Sequence, residues 1–385
     1  MLRFTSYLVE SLEFLTEETG KESDAKGKLR ELNLGKYLNG GKHMDSYRAQ
    51  GKEPMEVAHG HNTTAFGDNY TSSVRYAEHE TNSKMHARHI LNHLQDHGYG
   101  KVKRAVWTSQ PADHKSETGV DDTNNSADNI LTMNKQHARN RKKFDKIALS
   151  IKTGHNKVNY SNPGLAALAV RSGANLSQHT KQHADLVSKL LPAGAGSPHD
   201  RYKALRDSPK KTDQALAAQI KQSSVDLNRR VSNSFRQGLA LKKSDELKQI
   251  IKDEIAPATH LKHLVSREIT DEKTGRTIAH KIYDLHGHVD DYLNHFQDLH
   301  IKPSDATSVA VHGMFQHPTD ANHPLNGKVM PIATWAISAG GKPTNASPRG
   351  AVNLTSEDTK KINWHHTRRS ELHEYDHQGK IVKQH

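Results

Sequence analysis

SADNILTMNKQHARNRKKFDKIALSIKTG, residues 126–154, decides how the chain is read. Asp128 opens a short apolar run, 127–133. A basic stretch follows, and a second apolar run at 145–153 ends in Ser150-Ile151-Lys152. Side chains alternate faces along a strand. Ala148, Ser150 and Lys152 therefore share one face of the second strand, and Ile147, Leu149 and Ile151 share the other. On the first strand Asp128, Ile130 and Thr132 share a side. If the two strands pair antiparallel, Asp128 and Lys152 meet at one edge of a sheet, a carboxylate beside an ammonium. That pairing suits phosphodiester hydrolysis. A hard divalent cation binds carboxylate oxygen and phosphate and acidifies a bound water. A lysine can orient that water or offset the charge that develops. The plainer reading is a turn aspartate and a solubilising edge lysine.

Elements outside the hairpin extend this pattern. Residues 73–97 have Met85, Ile90, Leu91 and Leu94 at roughly helical spacing, stopped by Gly98 and Gly100. KVKRAVWT, 101–108, reads as a strand, and 109–126 as a long polar loop. Asn162-Pro163-Gly164 turns into a short helix, and 176–191 is another. After the Pro/Gly-rich joint at 190–200, residues 201–256 are basic and mostly helical. HLVSREITDEKTGRTIAHKIYDL, 263–285, reads as a hairpin. Residues 289–300 read as helix. SVAVHGMF (308–315), VMPIATWAISAGG (329–341) and ASPRGAVNL (346–354) supply strands, and the tail suggests a last hairpin.

The order of helix, strand, long loop, strand and strand resembles the PD-(D/E)XK nuclease superfamily, with Asp128 on one strand and Ser150-Ile151-Lys152 on the next. The resemblance covers about residues 74–170. It implies an α/β fold: a restriction-endonuclease-like central mixed sheet flanked by helices, with a helical insertion and C-terminal strands. Ser150 stands where that family carries a carboxylate, so one metal ligand is missing. By the resemblance Asp128, Ser150 and Lys152 form the catalytic set. Mg²⁺ or Mn²⁺ would be held by Asp128 and the Ile151 carbonyl, with Asp121, Asp122 and Glu80 as reserve ligands. Arg139, Arg141, Lys142 and Lys143 would contact phosphate. The loop SAGGKPTNASPRG, 338–350, offers Lys342 and Arg349 for the same purpose, although its spacing is not that of a P-loop.

The bulk composition agrees with a polyanion partner. Net charge is +12 over 385 residues, and 29 histidines add positive charge on mild acidification. Only 33% of residues are hydrophobic, against about 45–50% in an average domain, so modest cores with long polar insertions are expected. The absence of cysteine excludes disulfide scaffolds, thiolate metal sites and cysteine nucleophiles. No apolar run approaches the ~20 residues that span a bilayer, and no membrane partner is expected.

The first residues, MLRFTSYLVE, read as a short amphipathic helix. They resemble the capsid-targeting peptides of large tailed myophages, which a prohead protease cuts after a Leu/Ile-x-Glu tripeptide. Leu8-Val9-Glu10 fits, with cleavage between Glu10 and Ser11. This implies a partner in the phage capsid or prohead scaffold, and a protein carried inside the head and then into the host cytoplasm. The organisation expected is a propeptide at 1–10, a helical and loop segment at 11–72, a nuclease-like core at 73–195, a helical insertion at 201–256, and strands at 257–385 that complete or adjoin the core.

Together these readings give a virion-packaged, metal-dependent DNA nuclease. The alternative is a non-enzymatic basic internal head protein that binds packaged DNA. Two other histidine patterns compete less well. His286-x-His288-x-Asp290 resembles part of a metallo-β-lactamase-fold motif, but Asp291 stands where its last histidine belongs. His89, His93 and His97 recur at four-residue steps, and a solvated helix face is the expectation for them. An ADP-ribosyltransferase, a class of enzyme that phages co-inject, requires Ser-Thr-Ser and a Glu-x-Glu at a strand end; the sequence has neither, and SELHE offers Glu371-x-x-Glu374 instead.

Overall fold

The structure is a computed structural model. It describes residues 29–41, 74–108, 111–119, 127–134, 144–153, 159–161, 165–257, 261–271, 276–303, 307–338, 342–357 and 361–385, with 27, 273 and 359. The chain is mixed α/β and divides into two compact units. The first takes its described residues from Met1–His155, Thr259–His288 and Thr367–His385, the second from Asn156–Ala258 and Val289–His366.

The first unit is built on a seven-stranded mixed sheet of order β1-β2-β3-β5-β6-β11-β12. Its strands are β1 (Lys101–Trp107), β2 (Asn129–Asn134), β3 (Lys146–Thr153), β5 (Lys262–Thr270), β6 (Thr277–Asp284), β11 (His373–Asp376) and β12 (Ile381–Gln384). β1, β2 and β3 are an antiparallel meander, with Ile130 opposite Ala148 and Leu131 opposite Ile147. β3 then pairs parallel with β5, Ser150 opposite Val265 and Lys152 opposite Arg267. A parallel neighbour requires a long crossover, and here it is the chain between β3 and β5, including the helices at 165–255.

One face of this sheet is closed by the helix Val74–Asp96 and the helix at 29–38. Ala87, Ile90 and Leu94 recur at helical spacing and pack with Leu34 and Leu38 against Ile147, Leu149, Leu264 and Ile282. The helix stops where Gly98 takes φ +76°, a left-handed conformation that suits glycine at a helix end. The Tyr99 amide then donates back to the Leu94 carbonyl at 2.8 Å.

The second unit has an antiparallel five-stranded sheet, β4-β10-β9-β8-β7. Its strands are β4 (Asn159–Ser161), β7 (Phe296–Ile301), β8 (Ser308–Phe315), β9 (Val329–Ser338) and β10 (Arg349–Leu354). Its longest helix, Lys211–Ala240, buries Ala217 and Ile220 against Val187, Leu191, Tyr202 and Leu205 from its neighbours. The helix Pro198–Arg206 begins with a capping box, Ser197 with Asp200, and proline in its first turn.

The structure corrects two sequence readings and divides the later strands between two sheets. The span 289–300 is the end of the helix Leu285–Leu293 followed by β7. The polar loop at 109–126 contains a helix, Pro111–Thr118. The strands expected at 257–385 fall in both sheets. β8, β9 and β10 join β4 and β7, while β5, β6 and the terminal hairpin occupy every position beyond β3. With those positions filled, the later strands pair among themselves.

Candidate functional site

The antiparallel register of β2 and β3 carries the start of β2 to the Ser150–Lys152 end of β3. Asp128 lies one residue before β2. Its amide donates to the Leu149 carbonyl at 2.9 Å, and the Thr108 amide donates to the Asp128 carbonyl at 2.9 Å. The Thr108 hydroxyl also donates to the Ala127 carbonyl at 2.8 Å. The backbone of Asp128 is thus held between β1 and β3. Its carboxylate Oδ2 accepts the Ile151 amide at 2.5 Å. In a ladder a residue's N–H and C=O face the same neighbour, so the Ile151 carbonyl is directed toward the Asp128 side. Asp128 and the backbone of Ile151 therefore meet at this end of the β2–β3 pair.

Ser150 and Lys152 alternate with Ile151 and lie on the face opposite the helix Val74–Asp96. Ser150 is 0% exposed, and its Oγ is 2.8 Å from His263 Nε2. His263 stands on β5 beside Ala148 in the parallel register. Burial, with the charge of Lys152 next and smaller contributions from His286 and His114, pushes the His263 pKa down to about 3. His263 is therefore neutral at physiological pH and accepts or donates one hydrogen bond at Nε2. These interactions bring Lys152, His286 and His114 into the electrostatic neighbourhood of the Ser150–His263 pair.

His263 was not found from sequence. It lies 113 positions after Ser150 and is one of 29 histidines. Only the parallel pairing of β3 with β5, a long-range event, brings it to Ser150. The sole local hint was its place in the strand that opens the 263–285 hairpin.

Glu80 is on the helix that closes the other sheet face, and its Oε1 accepts the Tyr37 hydroxyl at 2.6 Å. Asp121, Asp122, Arg139, Arg141, Lys142, Lys143, Glu10 and Ser11 lie outside the described residues. Lys342 and Arg349 are exposed and belong to the second unit. His288 packs on Tyr283 with ring centroids 4.2 Å apart. Asp290 is paired with Lys252 at 2.5 Å.

The opposite sheet face carries a buried charge cluster. Lys262 Nζ lies 3.0 Å from Asp284 and 3.4 Å from Glu371. The Tyr99 hydroxyl donates to Glu371 at 2.6 Å. Burial raises the Asp284 pKa, and Lys262 opposes that rise. The cluster ties β5, β6 and the segment before β11 together.

The expected Mg²⁺ can be weighed against these donors. Mg²⁺ is held by hard oxygen ligands, usually one or two carboxylates with water. Among the described residues the edge offers the Asp128 carboxylate and the Ile151 carbonyl as oxygen donors. Ser150 is engaged with His263, and Glu80 is on the other face.

No helix among the described residues is long and apolar enough to cross a membrane. Comparison with protein-family models, curated proteins and solved structures finds no match.

Proposed function

We propose that the chain is a metal-dependent DNA nuclease of restriction-endonuclease type, with its hydrolytic site on the β2–β3 pair. The observation that carries this reading is the meeting of the Asp128 carboxylate with the backbone of Ile151, between Ser150 and Lys152. The antiparallel meander followed by a strand parallel to β3 also fits the resemblance. Asp128 and the Ile151 carbonyl would hold a divalent ion, Mg²⁺ or Mn²⁺, whose chemistry there is to neutralise phosphate charge and acidify a bound water. The Lys152 ammonium would offset charge on the scissile phosphate. Ser150 and His263 would hold the end of β3 in place, so that Lys152 is presented from a fixed strand.

The second reading is a DNA-binding protein without hydrolysis on the same frame. Its specific support is the buried Ser150–His263 bond at the position where the resembling enzymes carry a carboxylate. Under either reading the +12 charge supplies sequence-independent attraction to DNA. Residues 1–10 would take the chain into a phage head, and chains recovered from particles would begin at Ser11.

A labelled duplex incubated with the protein and Mn²⁺ or Mg²⁺ separates the two readings. Shorter products that depend on the ion support the nuclease. A retarded but intact duplex, with an affinity that falls steeply with salt, supports the binding protein.

A further inference from the structure

Three histidines meet where the C-terminal end of the helix Val74–Asp96 crosses β11. His93 and His97 are one helical turn apart, and β11 presents His373 to them. Ring centroids are 4.4 Å apart for His93 and His97, 5.0 Å for His93 and His373, and 4.7 Å for His97 and His373. One ring nitrogen from each lies within 4.8 Å of the other two. His93 and His373 are 0% exposed, and His97 is half-buried. This overturns the expectation of a solvated face for the four-residue histidine series.

We propose that His93, His97 and His373 form a transition-metal site of the zinc class, which fastens the C-terminal hairpin β11–β12 to the helix. The chemistry of the donors selects the ion. Imidazole suits Zn²⁺, Ni²⁺, Cu²⁺ and Co²⁺, and does not suit Mg²⁺ or Ca²⁺. Bound nitrogens at about 2.0–2.1 Å from a tetrahedral zinc stand roughly 3.3 Å apart. The three rings are therefore close to a binding arrangement and reach it by small side-chain rotations.

The surroundings of His373 point the same way. Its Nδ1 is 3.0 Å from the Tyr375 hydroxyl. Its Nε2 is buried and has no hydrogen-bond partner among the described residues. A metal-ligating histidine commonly has one nitrogen held by a hydrogen bond while the other binds the ion. A core position with no ligand to bind would be better filled by an apolar side chain, because a buried ring nitrogen without a partner costs free energy. Asp96 is near enough to act electrostatically on His373 and adds negative charge beside the three imidazoles. Three protein ligands leave a fourth position for water. With two ligands fully buried, the role is a clamp between helix and hairpin.

This site is on the helix-covered sheet face and uses none of the residues of the proposed hydrolytic edge, so the two proposals stand separately. The test uses the full chain, stripped of metal with a chelator and dialysed, then titrated with ZnCl2 and, in parallel, CoCl2. The expected result is one tight equivalent of Zn²⁺ per chain, a higher Tm, and the visible absorption of tetrahedral Co²⁺. His97→Ala, the half-buried position, should keep the far-UV spectrum and lose the tight equivalent, the Tm gain and the cobalt band. His377→Ala, an exposed histidine near β11, should keep all three. Weak zinc uptake spread over many sites, or tight uptake unchanged in His97→Ala, would overturn the proposal.

Discussion

Ser150 Oγ and His263 Nε2 lie 2.8 Å apart in the interior of the first unit, joining β3 to β5 at a position that alternation alone would fill with a plain strand serine. The bond fixes the end of the strand that carries Lys152. Removing the hydroxyl leaves a buried ring nitrogen without its partner, which costs about 1–3 kcal/mol. Ser150→Ala should lower the midpoint of urea unfolding by that amount with an unchanged slope. A variant as stable as the parent would show that the bond contributes nothing.

Lys262 sits between two carboxylates in the cluster with Asp284 and Glu371. Taking away one partner of a buried ionic group costs about 3–5 kcal/mol, because the remaining charge is left uncompensated. Lys262→Met should therefore destabilise the chain by several kcal/mol in denaturant melts, far more than the loss of an exposed lysine. Tyr99→Phe should cost less, on the order of 1–3 kcal/mol, since the hydrogen bond to Glu371 is lost while the ring stays.

The β2–β3 pair was legible because period-2 alternation around a polar, basic connection is a local signal, and Asp128, Ile151 and Lys152 all fall inside it. The partner of Ser150 was not legible, because no local pattern links residue 150 to residue 263. The histidine series was misread for a different reason. Imidazole counts as polar in a periodicity, yet a neutral imidazole packs as a flat aromatic ring. His89 stacks on Tyr375 with centroids 4.4 Å apart, and His86 bonds Ser266 at 2.5 Å. The second sheet was hidden because strand signals at 308–354 do not say which edge receives them.

Acid should unfold this protein before carboxylate titration is complete. His280 and His295 have pKa values lowered from the ordinary 6.5 to about 4, chiefly by burial. Between pH 6.5 and 4 the unfolded chain takes up protons that these two rings refuse in the fold. Stability from them is fully present above pH 6.5 and falls as pH drops through that window, by at most about 1.4 kcal/mol per pH unit for each ring. Urea midpoints measured from pH 7.5 to 4 should fall steadily, and His295→Asn should flatten the fall. A midpoint constant over the window would contradict the burial of these rings.

Gly287 has no room for a side chain. A Cβ there would lie 2.0 Å from the Arg369 carbonyl oxygen, a backbone atom that cannot swing aside. Gly287→Ala should be among the more destabilising single-methyl additions in the first unit, with a loss of several kcal/mol. Gly173→Ala, where nothing lies within 4 Å but φ is +76°, should cost about 1–2 kcal/mol from backbone strain alone.

The most direct test of the central claim is relaxation of supercoiled plasmid by the chain from Ser11 with Mn²⁺, beside Asp128→Asn and Lys152→Ala. The predicted result is ion-dependent nicking by the parent that both variants lose, with their DNA affinity and folding intact. An intact plasmid with the parent, or nicking that persists in both variants, would contradict a hydrolytic site at the edge where Asp128 meets Ile151.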